Sequence, residues 1–155
     1  HDEDTNLVAE NTYDFNEFIL HMIDEGSIKL QFQPLPYAIP YHVPCQYRAH
    51  RIGKPGVELL EHIPLLKIVD SQAACCGIAG TYGYKKEKYD ISMRVGQPLF
   101  EFINQSDAPF VLCDSETCRW QITHATGKPA VHPVELLALA IGFPGEGVLE
   151  GFLKS

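Results

Sequence analysis

The chain has 155 residues, 45% hydrophobic and 21% charged, with a formal net charge of −8 and a pI near 5.3. Such a chain is long enough for one domain with a buried core. Its acidity argues against nucleic acid or an anionic membrane surface as the main partner, since both need clustered Lys and Arg. No apolar run approaches the roughly 20 residues of a membrane span. The sequence opens on His1 with no signal-peptide pattern, as expected of a fragment of a longer chain.

In chain order, residues 1–12 are acidic and polar and are expected to be frayed or partly ordered. Tyr13 to Glu25 reads as an amphipathic helix, with Phe15, Phe18, Ile19, Met22 and Ile23 at helical spacing and Gly26 as its stop. Gln33-Pro34-Leu35-Pro36 is a connector. Four strand–helix units follow. The first strand is Tyr37 to Val43, ending at Pro44-Cys45, with its helix over Gly56 to His62. Strand two, Leu65 to Asp70, leads to Cys75-Cys76-Gly77. The next helix runs from Tyr89 to Asn104, and Pro98 is expected to kink or split it. Strand three, Pro109 to Leu112, leads to Cys113-Asp114-Ser115 and a helix over Glu116 to Thr126 that Gly127 ends. Strand four, Pro129 to Val131, ends at His132-Pro133, before a helix over Val134 to Ile141. The expected fold is α/β: a three-layer, Rossmann-like arrangement with a mainly parallel four-stranded sheet, flanking helices and an N-terminal helix. Residues 1–36 form an N-terminal segment, 37–142 the cysteine-rich domain and 143–155 a tail.

The stretch that organises this frame is Ala74-Cys75-Cys76-Gly77-Ile78-Ala79-Gly80-Thr81-Tyr82-Gly83. Adjacent cysteines bridge to each other only with strain, and side by side they suit a metal or cluster. The five cysteines are too few for a secreted disulfide scaffold, and all lie beside turns. Ligands of parallel α/β sheets bind outside the carboxyl ends of the strands. Cys45, Cys75, Cys76, Cys113, Ser115 and His132 each follow a strand, so they are expected to converge on one edge. Soft thiolates favour iron–sulfur clusters, zinc or copper(I). Asp114 or Ser115 is the expected N-cap of the helix holding Cys118, whose thiolate the helix N-terminus would stabilise.

These stretches resemble the cysteine-rich CCG domain found in the B subunit of heterodisulfide reductase and its relatives. The family pattern is a Cys, then Cys-Cys-Gly, then Cys-x-x-Cys, matched by Cys45, Cys75, Cys76 and Cys118. Within that family, Tyr41-His42-Val43-Pro44-Cys45, the Cys75-to-Lys85 loop, Cys113-Asp114-Ser115-Glu116-Thr117-Cys118-Arg119-Trp120 and His132-Pro133-Val134-Glu135 are similar to the C-terminal domain of the C subunits of anaerobic glycerol-3-phosphate dehydrogenases. The resemblance implies a non-catalytic or electron-transfer subunit of an oxidoreductase in anaerobic respiration. It would be cytoplasmic and peripheral to the inner membrane, relaying electrons from a flavoprotein dehydrogenase subunit to a membrane-anchor or quinone-reducing subunit. The implied cofactor is an iron–sulfur cluster of [4Fe–4S] type held by Cys45, Cys75, Cys76, Cys118 and Cys113. In heterodisulfide reductase-like members, five cysteines of one such domain hold a non-cubane cluster.

One departure stands out: Ser115 occupies the first position of the Cys-x-x-Cys. Cys113, two residues earlier and on the same side of an extended strand, is a candidate substitute. A cluster, a tetrahedral Zn²⁺ site with Cys45, Cys75, Cys76 and Cys118 as metal ligands, and a metal-free thiol site all stay open. A structural zinc or subunit-docking module is the alternative function, and a thiol-based oxidoreductase a third. His42 and His132 follow strand ends as candidate ligands or proton carriers, and His132 is the better placed. Arg48 and Arg51 are candidates to offset thiolate charge, Trp120 to shield a cluster, and Lys85-Lys86-Glu87-Lys88 to meet an acidic partner. Each of these also fits ordinary packing or a solvated surface. No Ser-His-Asp arrangement, phosphate loop or paired carboxylates are evident.

Overall fold

The computed structural model describes residues 2–145 and 147–150. Strands β1 (Ala38–His42), β2 (Lys67–Asp70), β3 (Val111–Cys113) and β4 (Ala130–Val131) form one sheet in the order β2-β1-β3-β4. Every pairing is parallel, with Ala38 opposite Lys67, Tyr41 opposite Leu112 and Leu112 opposite Val131. Helices α1 (Glu3–Glu10), α2 (Phe15–Asp24), α3 (Cys45–His50), α4 (Pro55–Leu60), α5 (Tyr89–Asn104), α6 (Glu116–Thr126) and α7 (Pro133–Ala140) surround it. The expected α/β architecture is the one observed.

Strand periodicity separates two cores. Phe110 and Leu112 pack with Ile39, Tyr41, Leu59 and Leu136 on one face. Val111 and Cys113 point the other way, against Leu99, Phe100 and Ile103 of α5 and Cys118 and Ile122 of α6. Helices therefore cover both faces, and Cys113 belongs to the α5/α6 side.

Local details bear out some expectations and correct others. The N-terminal segment is partly ordered, one of its two expected states. Asp2 caps α1 by accepting from the Thr5 N–H at 2.8 Å, although α1 buries no residue. α3 was not foreseen and begins at Cys45 itself, directly after Pro44. Pro98 does not split α5, which runs unbroken for 16 residues because buried Leu99, Phe100 and Ile103 hold it against the sheet. Finally, Ser115 is the N-cap residue of α6 by position, but no side chain caps that helix. The Asp114 carboxylate instead accepts from Asn16 Nδ2 and Tyr41 OH, both at 2.7 Å, and ties the β3–α6 turn to α2 and β1. Burial pushes the Asp114 carboxyl up to about 6.

Candidate metal centre

Three strand-end segments meet at one cleft. Cys45 enters from the first turn of α3, Cys75 and Cys76 from the loop after β2, and Ser115, Thr117 and Cys118 from the β3–α6 turn. The cleft between them holds about 20 Å³, roughly the space of one water or one ion.

The loop carrying Cys75 and Cys76 is fastened to α5 by close backbone approach. Gly77 has φ +93°, and a Cβ there would overlap the Ser92 carbonyl; a Cβ on Gly96 would overlap the Cys76 carbonyl. Only glycine permits both the conformation and the contact. Ser92 Oγ donates to the Gly77 carbonyl at 2.8 Å and accepts from Gln121 Nε2 at 2.9 Å, linking the loop to α6. The Gly77 N–H in turn donates to Cys75 Sγ at 3.3 Å.

The thiols divide into an inner and an outer group. Cys76, Cys113 and Cys118 are 1%, 0% and 5% exposed, whereas Cys45 and Cys75 are partly exposed. Cys76 Sγ lies 3.0 Å from Cys118 Sγ. Hydrogen bonds from Cys113 and then Cys76 pull the Cys118 thiol below its ordinary value. Cys118 is thus the most readily deprotonated thiol of the group. Cys76 shifts up as its donor to Cys118 and through burial, and burial pushes Cys113 up. In the outer pair, burial and then the neighbouring Cys75 raise Cys45, partly offset by Arg48. Such clustered thiols, which a metal ion would deprotonate on binding, are the donor chemistry that a soft metal or cluster takes.

His42, wholly buried at the end of β1, completes the inner group. One ring nitrogen lies within 4.8 Å of the sulfurs of both Cys76 and Cys118. Its Nδ1 is 3.3 Å from Ser71 Oγ, and its Nε2 is buried with no hydrogen-bond partner. A buried soft donor set beside an unpartnered imidazole nitrogen fits a metal centre.

The profile of the CCG cysteine-rich domain family matches residues 39–123, which carry every one of these side chains. The chain belongs to the CCG cysteine-rich domain family. It is 44% identical over 119 residues to the C subunit of anaerobic glycerol-3-phosphate dehydrogenase from Escherichia coli K12, an alignment covering 77% of this chain and 30% of that protein. It is 33% identical over 94 residues to an uncharacterized iron–sulfur protein of Methanocaldococcus jannaschii, covering 60% of this chain and 19% of the relative. A similar Methanococcus maripaludis protein is 26% identical over 125 residues, covering 77% and 25%. The chain thus spans less than a third of the length of these relatives. No solved structure matches it.

Set against this CCG architecture, Ser115 lines the cleft at the place of the missing cysteine, its Oγ 3.3 Å from Thr117 Oγ1. Cys113 ends β3 and stands behind the cleft, its Sγ 3.9 Å from the Ser115 carbonyl. The two candidate histidines exchange places relative to expectation. His132 is a capping residue: its Nδ1 accepts from the Val134 N–H at 3.1 Å while Glu135 accepts from the His132 N–H at 2.8 Å. His42 is the histidine at the cysteines. Trp120 is 56% exposed, packs edge-on against Tyr84 and does not line the cysteine cleft. Arg48 donates to the Ala74 carbonyl and holds the outer side of the CCG loop. Arg51 lines a neighbouring cleft of about 560 Å³. Lys88 lies over the Tyr82 ring at 5.8 Å.

Proposed function

We propose that this domain is an electron-transfer module that holds an iron–sulfur centre through Cys45, Cys75, Cys76 and Cys118, with Cys113 supporting from behind. The observation that carries the reading is the convergence of these four thiols from three strand ends on one cleft. Such a centre supplies one-electron storage and transfer. The chain's own part is to bring the thiols together, ease deprotonation of Cys118, exclude water from the inner sulfurs and leave the outer pair near the surface for electron exchange.

In this proposal the domain is one part of a longer protein resembling the glycerol-3-phosphate dehydrogenase C subunit. It takes electrons from a flavoprotein subunit and passes them toward membrane quinone from the cytoplasmic face. A membrane-anchor or quinone-reducing subunit would be its acceptor; no helix among the described residues is long and apolar enough to cross a membrane. A [4Fe–4S] centre is the form we propose, with Ser115 in place of one cysteine.

The narrowness of the cleft favours a second reading, a single Zn²⁺ that staples the strand ends for subunit docking. Anaerobic purification of the full-length protein, followed by iron, acid-labile sulfide and zinc analysis, separates the two. Iron and sulfide in matching amounts support the electron-transfer reading. One zinc per chain without iron supports the structural one.

A further inference from the structure

We propose that His42 is a nitrogen ligand of the centre, sharing one metal ion with Cys76 and Cys118. The buried half of the site is then a mixed imidazole–thiolate site. The inference rests on reading the cleft as a metal site, and its test keeps the two apart.

Three observations converge. The first is strand parity. Ile39 and Tyr41 of β1 face the core that contains Leu59 and Leu136, so His42 takes the opposite face, on the side of Cys76 and Cys118. The second is the ring's hydrogen bonding. Ser71 follows β2 and is itself fixed, its N–H donating to the Tyr41 carbonyl at 2.9 Å and its Oγ accepting from the Ala73 N–H at 3.3 Å. In the tautomer whose Nδ1–H donates to Ser71 Oγ, the lone pair is left on Nε2, the arrangement in which histidines bind metals. The third is burial without a partner. Nε2 is inaccessible to water and has no hydrogen-bond partner among the described residues, an arrangement native interiors avoid unless something occupies the site. A nitrogen of this ring and the Cys76 and Cys118 sulfurs all lie within 4.8 Å of one another, so one ion between them would satisfy all three groups. His132 shows the contrast: it too ends a strand, but its Nδ1 is committed to a helix cap.

The chemical consequence is specific. Ser115 removes one thiolate from the pattern the resemblance implies, and His42 supplies a nitrogen donor beside Cys76 and Cys118. Imidazole in place of thiolate removes one negative charge and raises the reduction potential of an iron–sulfur centre.

The test is pulsed EPR of the full-length protein, purified anaerobically and reduced, with histidine either unlabelled or ¹⁵N-labelled. The expected result is a directly bound nitrogen coupling that changes with the label. His42→Cys should retain the metal, lose that coupling and shift the potential to more negative values. Ser71→Ala should weaken metal retention by roughly 10- to 100-fold by freeing the ring. A metal-loaded wild-type protein without nitrogen coupling overturns the proposal, as does coupling that persists in His42→Cys. If no iron centre assembles, the same measurement is made with Co²⁺ as the probe. Coupling to Co²⁺ then supports His42 while the electron-transfer reading fails, and failure to bind either metal overturns both.

Discussion

The two halves of the cysteine cleft are built by different rules. The inner half, Cys76, Cys118, Cys113 and His42, is buried, and its most readily deprotonated thiol is Cys118, 3.0 Å from the Cys76 sulfur. The outer half, Cys45 and Cys75, is partly exposed, and Arg48 secures the loop beside it. The inner groups hold their geometry through the sheet and α5, whereas the outer thiols depend on a six-residue helix and a loop. In this account the inner half fixes the metal and the outer half connects it to partners.

The harshest way to break the comparison is Gly77→Ala, which should remove both halves together. Residues at positive φ cost about 1–3 kcal/mol each, and the overlap with the Ser92 carbonyl adds to that. We expect loss of metal and a clear fall in the urea midpoint. Next, Cys118→Ser and Cys45→Ser should differ in degree. The first removes the most readily deprotonated thiol and should abolish metal retention. The second should leave a centre that forms but is lost faster to a chelator. Equal loss in both variants would dissolve the distinction between halves. Ser92→Ala tests the clamp on the inner half. It leaves the Gly77 carbonyl and Gln121 amide without their partner, and we expect about 1–3 kcal/mol of destabilisation in chemical denaturation. Ser115→Cys should sharpen the comparison by restoring the family's Cys-x-x-Cys, tightening metal retention with little change in stability.

The smallest expected effect lies outside the cleft, at the Lys54–Asp70 ion pair. Burial would raise the Asp70 carboxyl, but the Lys54 ammonium and the Gln72 N–H outweigh it and hold it below its ordinary value of 3.8. A depressed carboxylate stabilises the fold above its unfolded-state value and loses that contribution as pH falls through the folded one. Lys54→Met should therefore cost under about 1 kcal/mol at neutral pH, since Lys54 is 53% exposed. The difference from wild type should begin to shrink as pH falls below 3.8 and vanish once the pH is under the lower, folded-state value, as read from thermal melts across pH.

Much of this organisation was legible in the sequence. α6 runs over the expected Glu116–Thr126, and the cysteines at strand ends meet as the topology of a parallel sheet requires. What escaped was decided by side-chain direction. His42 and His132 look alike in sequence, each ending a strand before a proline-containing turn. Only the parity of β1 turns one toward the sulfurs, and only the cap at α7 commits the other to backbone. The alternation Ile39, Tyr41 against His42 was available as a signal. Pro98 misled because a lost hydrogen bond is a local cost, whereas α5 is held by tertiary packing. α3 escaped because six residues after Pro44 carry too little periodicity to register as a helix.

The central claim, that this cleft is a redox-active metal centre anchored by its inner thiols, is tested most directly by an EPR-monitored redox titration of the anaerobically purified full-length protein. The account predicts a reversible iron–sulfur signal assigned to this domain by its disappearance in Cys118→Ser. A signal unchanged by Cys118→Ser, or an EPR-silent protein whose five cysteines here all react as free thiols, would contradict it.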